Sequence, residues 1–197
     1  AYGTEAVALL QAIGDRRGEG DGLANLGLAY ATLGEHRLAI QCNEAWLAIA
    51  RELGNRNDEC EALGRLGNLH AVSGQLGRAM AYHEQQYKLA RAIGSRVHEA
   101  QALGMLGSSL GDLGEYERSM AYLEQAIAIA REVGNFSHVA TFSFHLARLM
   151  VQQARLSAAL PYAELALWGF TQTGQQDYAA LAEQLVAQLR SSAPKEE

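Results

Sequence analysis

Apolar positions along this chain keep two rhythms at once. In short windows they fall three and four residues apart, as in Tyr178, Leu181, Leu185 and Leu189, which places them on one face of an α-helix. Over longer distances the same residue types return every 40 positions: Leu26, Leu66, Leu106 and Leu146; Gly54, Gly94, Gly134 and Gly174; Glu44, Glu84, Glu124 and Glu164. A fixed period held without insertion is the mark of a tandem array, in which one supersecondary unit stacks on the next. Each unit predicts two amphipathic helices, about 17–33 and 36–53 in the numbers of the first.

The stops between helices are glycines. Gly34, Gly74 and Gly114 end the first helix of a unit, and Gly54, Gly94, Gly134 and Gly174 the second, where a left-handed residue closes the last turn. Asn55, Ser95 and Asn135 follow, short polar residues able to cap the next helix. Connections of a few residues force neighbouring helices to run antiparallel. The sequence therefore divides into 1–14, the second helix of an incomplete repeat; complete units at 15–54, 55–94 and 95–134; a divergent unit at 135–174; a capping helix at 175–190; and a flexible tail at 191–197. Beginning in mid-pattern, it is expected to be a piece of something longer. In the divergent unit Ala147 and Ala154 replace glycines, and Pro161 predicts a distorted or shortened second helix. Gly27, Gly67 and Gly107 lie inside first helices, where close approach of Ala39, Ala79 and Ser119 is the expected reason for them.

Composition narrows the function. Apolar residues make up 49% of the chain, enough for a continuous core, while a net charge of -6 without clustered Lys or Arg argues against nucleic-acid binding. No apolar run reaches the roughly 18 residues of a membrane span, so no membrane association is expected. Cys42 and Cys60 lack metal or redox spacing and read as packed free thiols, which suits a reducing, cytoplasmic setting.

Motifs for chemistry fail one by one. His83-Glu84 starts like HExxH, but Tyr87 stands where the second histidine belongs. Gly18, Gly20 and Gly22 imitate a phosphate loop without a preceding strand, and Asn25 replaces its last glycine. His98 and His138 read as solvated surface, and the Glu44 ladder, with Arg51, Arg91 and Arg131, as exposed or inter-repeat contacts. No catalytic, metal or cofactor site is expected, and the chain reads as non-enzymatic.

In the third unit Leu103, Leu106-Gly107, Leu110, Gly114, Tyr116, Ser119, Leu123 and Ala126 stand at the internal spacing of the tetratricopeptide repeat, which the array resembles. Its period of 40 is longer than that family's usual 34 and is similar to the Pins/LGN adaptors and kinesin light chains. The resemblance implies an all-α, right-handed superhelical solenoid of antiparallel helix pairs whose first helices line a concave groove. It implies a protein or peptide partner held there by Asn25, Leu28, Thr32, Arg65, Asn68, Met105, Ser108, Asp112, His145 and Arg148. Asn25 in NLGL and Asn68 in RLGN each keep half of the adaptors' NLGN asparagine pattern, and Arg65 and Arg148 are expected to grip carboxylates. Ala24, Gly64 and Gly104 are expected to keep the groove floor open. The rival reading is a sensor or autoinhibitory region of a larger signalling ATPase or transcription regulator. The unpaired apolar face of residues 1–13 invites self-association.

Overall fold

The computed structural model describes residues 2–192, with the side chain of Tyr2 left aside. Its described residues form ten α-helices: α1 (Tyr2–Ala12), α2 (Arg16–Thr32), α3 (His36–Glu52), α4 (Arg56–Val72), α5 (Leu76–Ile93), α6 (Arg96–Asp112), α7 (Tyr116–Glu132), α8 (Phe136–Gln152), α9 (Leu156–Gln172) and α10 (Gln176–Ser192). Ser191 and Ser192 thus close α10 instead of starting a tail, and the remainder of the expected tail, 193–197, lies outside the described residues. The chain forms two compact units, Ala1–His98 and Glu99–Glu197.

Local chemistry explains the regularity of the helices. Each glycine at a helix stop has a φ between 67° and 79°, which an L side chain adopts only at a cost. Caps satisfy the first free N–H groups: Asp15 accepts from Gly18 N at 2.9 Å, Asn55 from Asp58 N at 3.3 Å and Asn135 from His138 N at 3.0 Å. His98 and His138 are half-buried members of these junctions and not solvated surface. Ser95 Oγ meets His98 Nδ1 at 2.8 Å, and the ring of His138 lies 5.2 Å from that of Phe142.

In the first unit a core of Leu23, Trp46, Leu47, Leu63 and Leu66 joins α2, α3 and α4, with Val7 of α1 buried against it. Burying each such side chain contributes about 1.5–3 kcal/mol. In the second, Ala140, Ala166, Phe170 and Ala182 bring α8, α9 and α10 together.

The small residues expected opposite the helix-internal glycines account for only part of the packing: Ser119 does approach Gly107, its Oγ donating to Gly107 O at 2.6 Å, but a larger side chain takes the remaining space at each glycine. A methyl on Gly27 would lie 2.6 Å from Asn43 Nδ2, on Gly67 2.4 Å from the His83 ring, and on Gly107 2.9 Å from Leu123. These glycines admit a larger side chain from the paired helix, one turn beyond Ala39, Ala79 and Ser119. Gly64 and Gly104 are likewise covered, since a methyl there would run into the Gln86 amide and the Phe142 ring, and with Ala24 they are buried, so they leave no open floor. Gly18 and Gly22 pack on α1 side chains and Gly20 on Ile49 and Trp46. Helix α9 reaches its full 17 residues despite Pro161, whose exposed position lets the helix absorb one lost hydrogen bond.

Candidate functional site

The two units bring different subsets of the expected residues together. In the first, Leu28 of α2 and Arg65 and Asn68 of α4 line one cavity of about 310 Å³. Asn25 and Thr32 are exposed on α2 outside that lining, and the Thr32 hydroxyl donates to its own helix at Ala29 O, 2.8 Å away. Arg65 is already engaged. It donates to Ala24 O at 2.9 Å and to Glu61, and its guanidinium lies 4.9 Å from the Trp46 ring centre. The carboxylate grip expected of Arg65 is therefore spent inside the unit, where it orients α4 against α2 and α3.

Sequence reasoning missed two polar members of this cavity, His36 and Asn43, because both belong to the second helix of the pair. Asn43 Nδ2 donates to Ala39 O at 2.7 Å, which fixes the amide's orientation and leaves Oδ1 as an acceptor. Asn43 Oδ1, Asn68 Oδ1 and His36 Nδ1 are all buried without a hydrogen-bond partner. Each such orphan costs on the order of 1–3 kcal/mol, so three at one cavity call for a reason.

In the second unit, Ser108 and Asp112 of α6 face His145 and Arg148 of α8 across a cleft of about 510 Å³, with Leu149 and Leu185 as apolar walls. The spacing within each helix, three or four residues, is what puts both members of a pair on one face. Met105 is half-buried one turn away and does not line the cleft. Ser108 Oγ sits 3.4 Å from His145 Nδ1 and 3.1 Å from Gly104 O. Burial, reinforced by Arg148 and opposed by Asp112, holds the His145 imidazole below its ordinary pKa, so it is neutral at pH 7. Arg148 has the Phe144 ring 5.9 Å away and no ion-pair partner among the described residues.

Serine beside histidine suggests a nucleophile and its base. The surrounding backbone argues otherwise, since the N–H groups around Ser108 belong to mid-helix and offer no oxyanion hole. The cleft can instead bind: a fork of cationic donors, a carboxylate, a hydroxyl and a neutral imidazole stand over leucine walls. Among the described residues no group of three or more His, Cys, Asp or Glu side chains could hold a metal, and no helix is long and apolar enough to cross a membrane.

Residues 58–132 match a family model described as the tetratricopeptide repeat. Those residues carry tetratricopeptide repeats. The fold class of the chain is all-α, of the solenoid type that such repeats build. No curated protein sequence matches it. Among solved structures, a signal-transduction ATPase with numerous domains and a tetratricopeptide repeat sensor, from Pyrococcus horikoshii, is similar with a TM-score of 0.80 at 18% identity, covering 95% of this chain and 29% of that one. A Rap protein complexed with competence and sporulation factor gives 0.65 at 15% identity, over 96% of this chain and 57% of that one. Kinesin light chain repeats from Podosopora anserina give 0.61 at 15% identity, over 89% of this chain and 97% of that one. This repeat array thus spans less than two thirds of the first two relatives' length.

Proposed function

We propose that the chain is a non-enzymatic scaffold that holds a partner protein or peptide on the faces of its first helices, read as helix pairs α2–α3, α4–α5, α6–α7 and α8–α9 with α1 a half-repeat and α10 a cap. The observation that carries this is the cleft of the second unit, where Ser108, Asp112, His145 and Arg148 converge with Asp112 and Arg148 unpaired. Charged groups held opposite each other without neutralising one another are suited to a ligand bearing both a carboxylate and a donor. The Rap protein complexed with competence and sporulation factor supports the reading that such a fold accommodates a bound partner. Buried free thiols at Cys42 and Cys60 suit a reducing, cytoplasmic setting.

The test is a pull-down or peptide array comparing the wild type with Asp112→Ala and Arg148→Ala, each first shown by circular dichroism to be fully helical. We expect both variants to lose one and the same partner by at least tenfold. Unchanged partners in both would exclude this cleft. The similarity to the Pyrococcus horikoshii ATPase supports a second reading, in which the array is the sensor region of a larger signalling protein and its partner lies in that same protein.

A further inference from the structure

We infer that the cavity of the first unit is a receptor for a primary carboxamide, the side-chain amide of a glutamine or asparagine on the partner. Three acceptors define it: Asn43 Oδ1, Asn68 Oδ1 and His36 Nδ1, all buried and without partners. Asn43 is 1% exposed and its amide is locked by the bond to Ala39 O, so it cannot turn its acceptor inward to satisfy itself. The acceptor of His36 exists in the tautomer protonated on Nε2. Gly27 makes room for this arrangement, since a methyl there would lie 2.6 Å from Asn43 Nδ2.

The character of the ligand follows from what the site offers. No carboxylate lines the cavity, and Arg65, the cation in its wall, makes a second cation unfavourable. The group must therefore be neutral. A hydroxyl brings one donor, whereas a primary carboxamide brings two N–H groups on one nitrogen, in a plane, on an apolar stem. Its carbonyl finds a donor in the amide of Asn68, so that two amides pair head to tail. Leu28 and Val72, 52% and 69% exposed, line the outer side of the cavity, where they can pack on the methylenes of the amide's stem. Leu69 supplies the inner apolar wall.

This site deepens the scaffold reading by naming a chemical group of the partner, and it rests on that reading only for the source of the amide. Its test is accordingly made with small probes on the full chain and does not involve the cleft of the second unit. Butyramide, N-methylbutyramide and the shape-matched ketone 2-pentanone are titrated separately to millimolar concentration while amide spectra are followed by nuclear magnetic resonance. We expect butyramide to shift the signals of Gly27 and the side-chain amides of Asn43 and Asn68, with 2-pentanone giving less than a fifth of that shift. Asn43→Leu removes an acceptor and Asn68→Leu a donor-acceptor pair; each is expected to weaken the butyramide response at least fivefold while the helical signal is kept. Should Asn43→Leu fail to fold, Asn68→Leu alone decides.

Equal shifts from butyramide and 2-pentanone, or none from either, would overturn the proposal. So would an equal response to N-methylbutyramide, which would assign the cavity to a backbone peptide group. Loss of partner binding in the Asp112 and Arg148 variants alongside silent probes would leave the scaffold standing and remove the carboxamide site; unchanged partners alongside a butyramide-specific response would exclude the cleft of the second unit and keep the carboxamide site.

Discussion

Ala154 shows how much one residue's backbone can decide. It occupies the position where earlier units have Gly34, Gly74 and Gly114, and it is the non-glycine residue with a positive φ, 57°, among those described. The left-handed region costs an L residue about 1–2 kcal/mol, part of which a glycine would return as chain entropy. Ala154→Gly is therefore expected to stabilise the protein by about 1 kcal/mol, read as a raised urea midpoint with an unchanged slope. A lower midpoint would mean that Ala154's methyl is held by contacts worth more than the strain.

His83 carries a second consequence at this scale. It is 1% exposed between α4 and α5, with Nε2 unpartnered and Nδ1 3.5 Å from Gln86 Oε1. Burial, only partly opposed by Gln86, pushes its pKa down to about 4. The unfolded chain binds this proton near pH 6.5 and the folded chain does not, so stability is full above pH 6.5 and falls as pH drops towards 4. The loss amounts to about 3 kcal/mol at 1.36 kcal/mol per pKa unit. His83→Leu, which installs the residue found at the equivalent position 123, is expected to remove that pH 4–6.5 slope in denaturant melts. An unchanged slope would place the titration elsewhere.

Among elements, α9 makes the sharpest test of helix physics. Proline at the sixth position of a 17-residue helix removes one backbone donor, yet Ala159, Ala163, Ala166 and Phe170 on the opposite side are buried. Packing of that stripe outweighs the local defect, as it does for most protein helices. Pro161→Ala is expected to stabilise by about 1–3 kcal/mol, visible as a raised thermal midpoint. No gain would mean that the defect was already absorbed by a bend. The junctions between helices also hold a buried carboxylate series that was overlooked: Glu19, Glu59 and Glu99 are 4%, 7% and 9% exposed. Arg51 and Arg56 each donate to Glu59 at 2.8 Å, tying α3 to α4. These two hydrogen bonds outweigh the opposing cost of burial and keep the Glu59 carboxyl below its usual pKa.

For the molecule as a whole, its open faces set the expectation. Leu9 and Ile13 are 66% and 74% exposed at the α1 end of the first unit, while α10 buries Ala182, Val186 and Leu189 in the second. Self-association through α1 is the expectation these faces raise, and its measure is light scattering. A dimer that dissociates in Leu9→Gln/Ile13→Gln supports it, and a monomer across a hundredfold concentration range removes it.

The sequence by itself determined the elements and their order. A period of 40, glycines at the stops and Asn or Asp at the caps are local instructions, and each acts within one turn of the residue that carries it. Helix ends came within one or two residues of those expected, and Ser108, Asp112, His145 and Arg148 were expected from the resemblance to the tetratricopeptide repeat, with helical spacing putting each pair on one face. Only tertiary structure decided what meets that face. Positions 43, 83 and 123 hold Asn, His and Leu, and no spacing rule says that these would fill the hollows at Gly27, Gly67 and Gly107. Nor could it say that Arg65 would turn inward to Ala24 and Glu61, or that His36 and Asn43 would reach a cavity beside Asn68. Such pairings depend on the depth and angle at which two helices pack, and that geometry is set by every side chain between them.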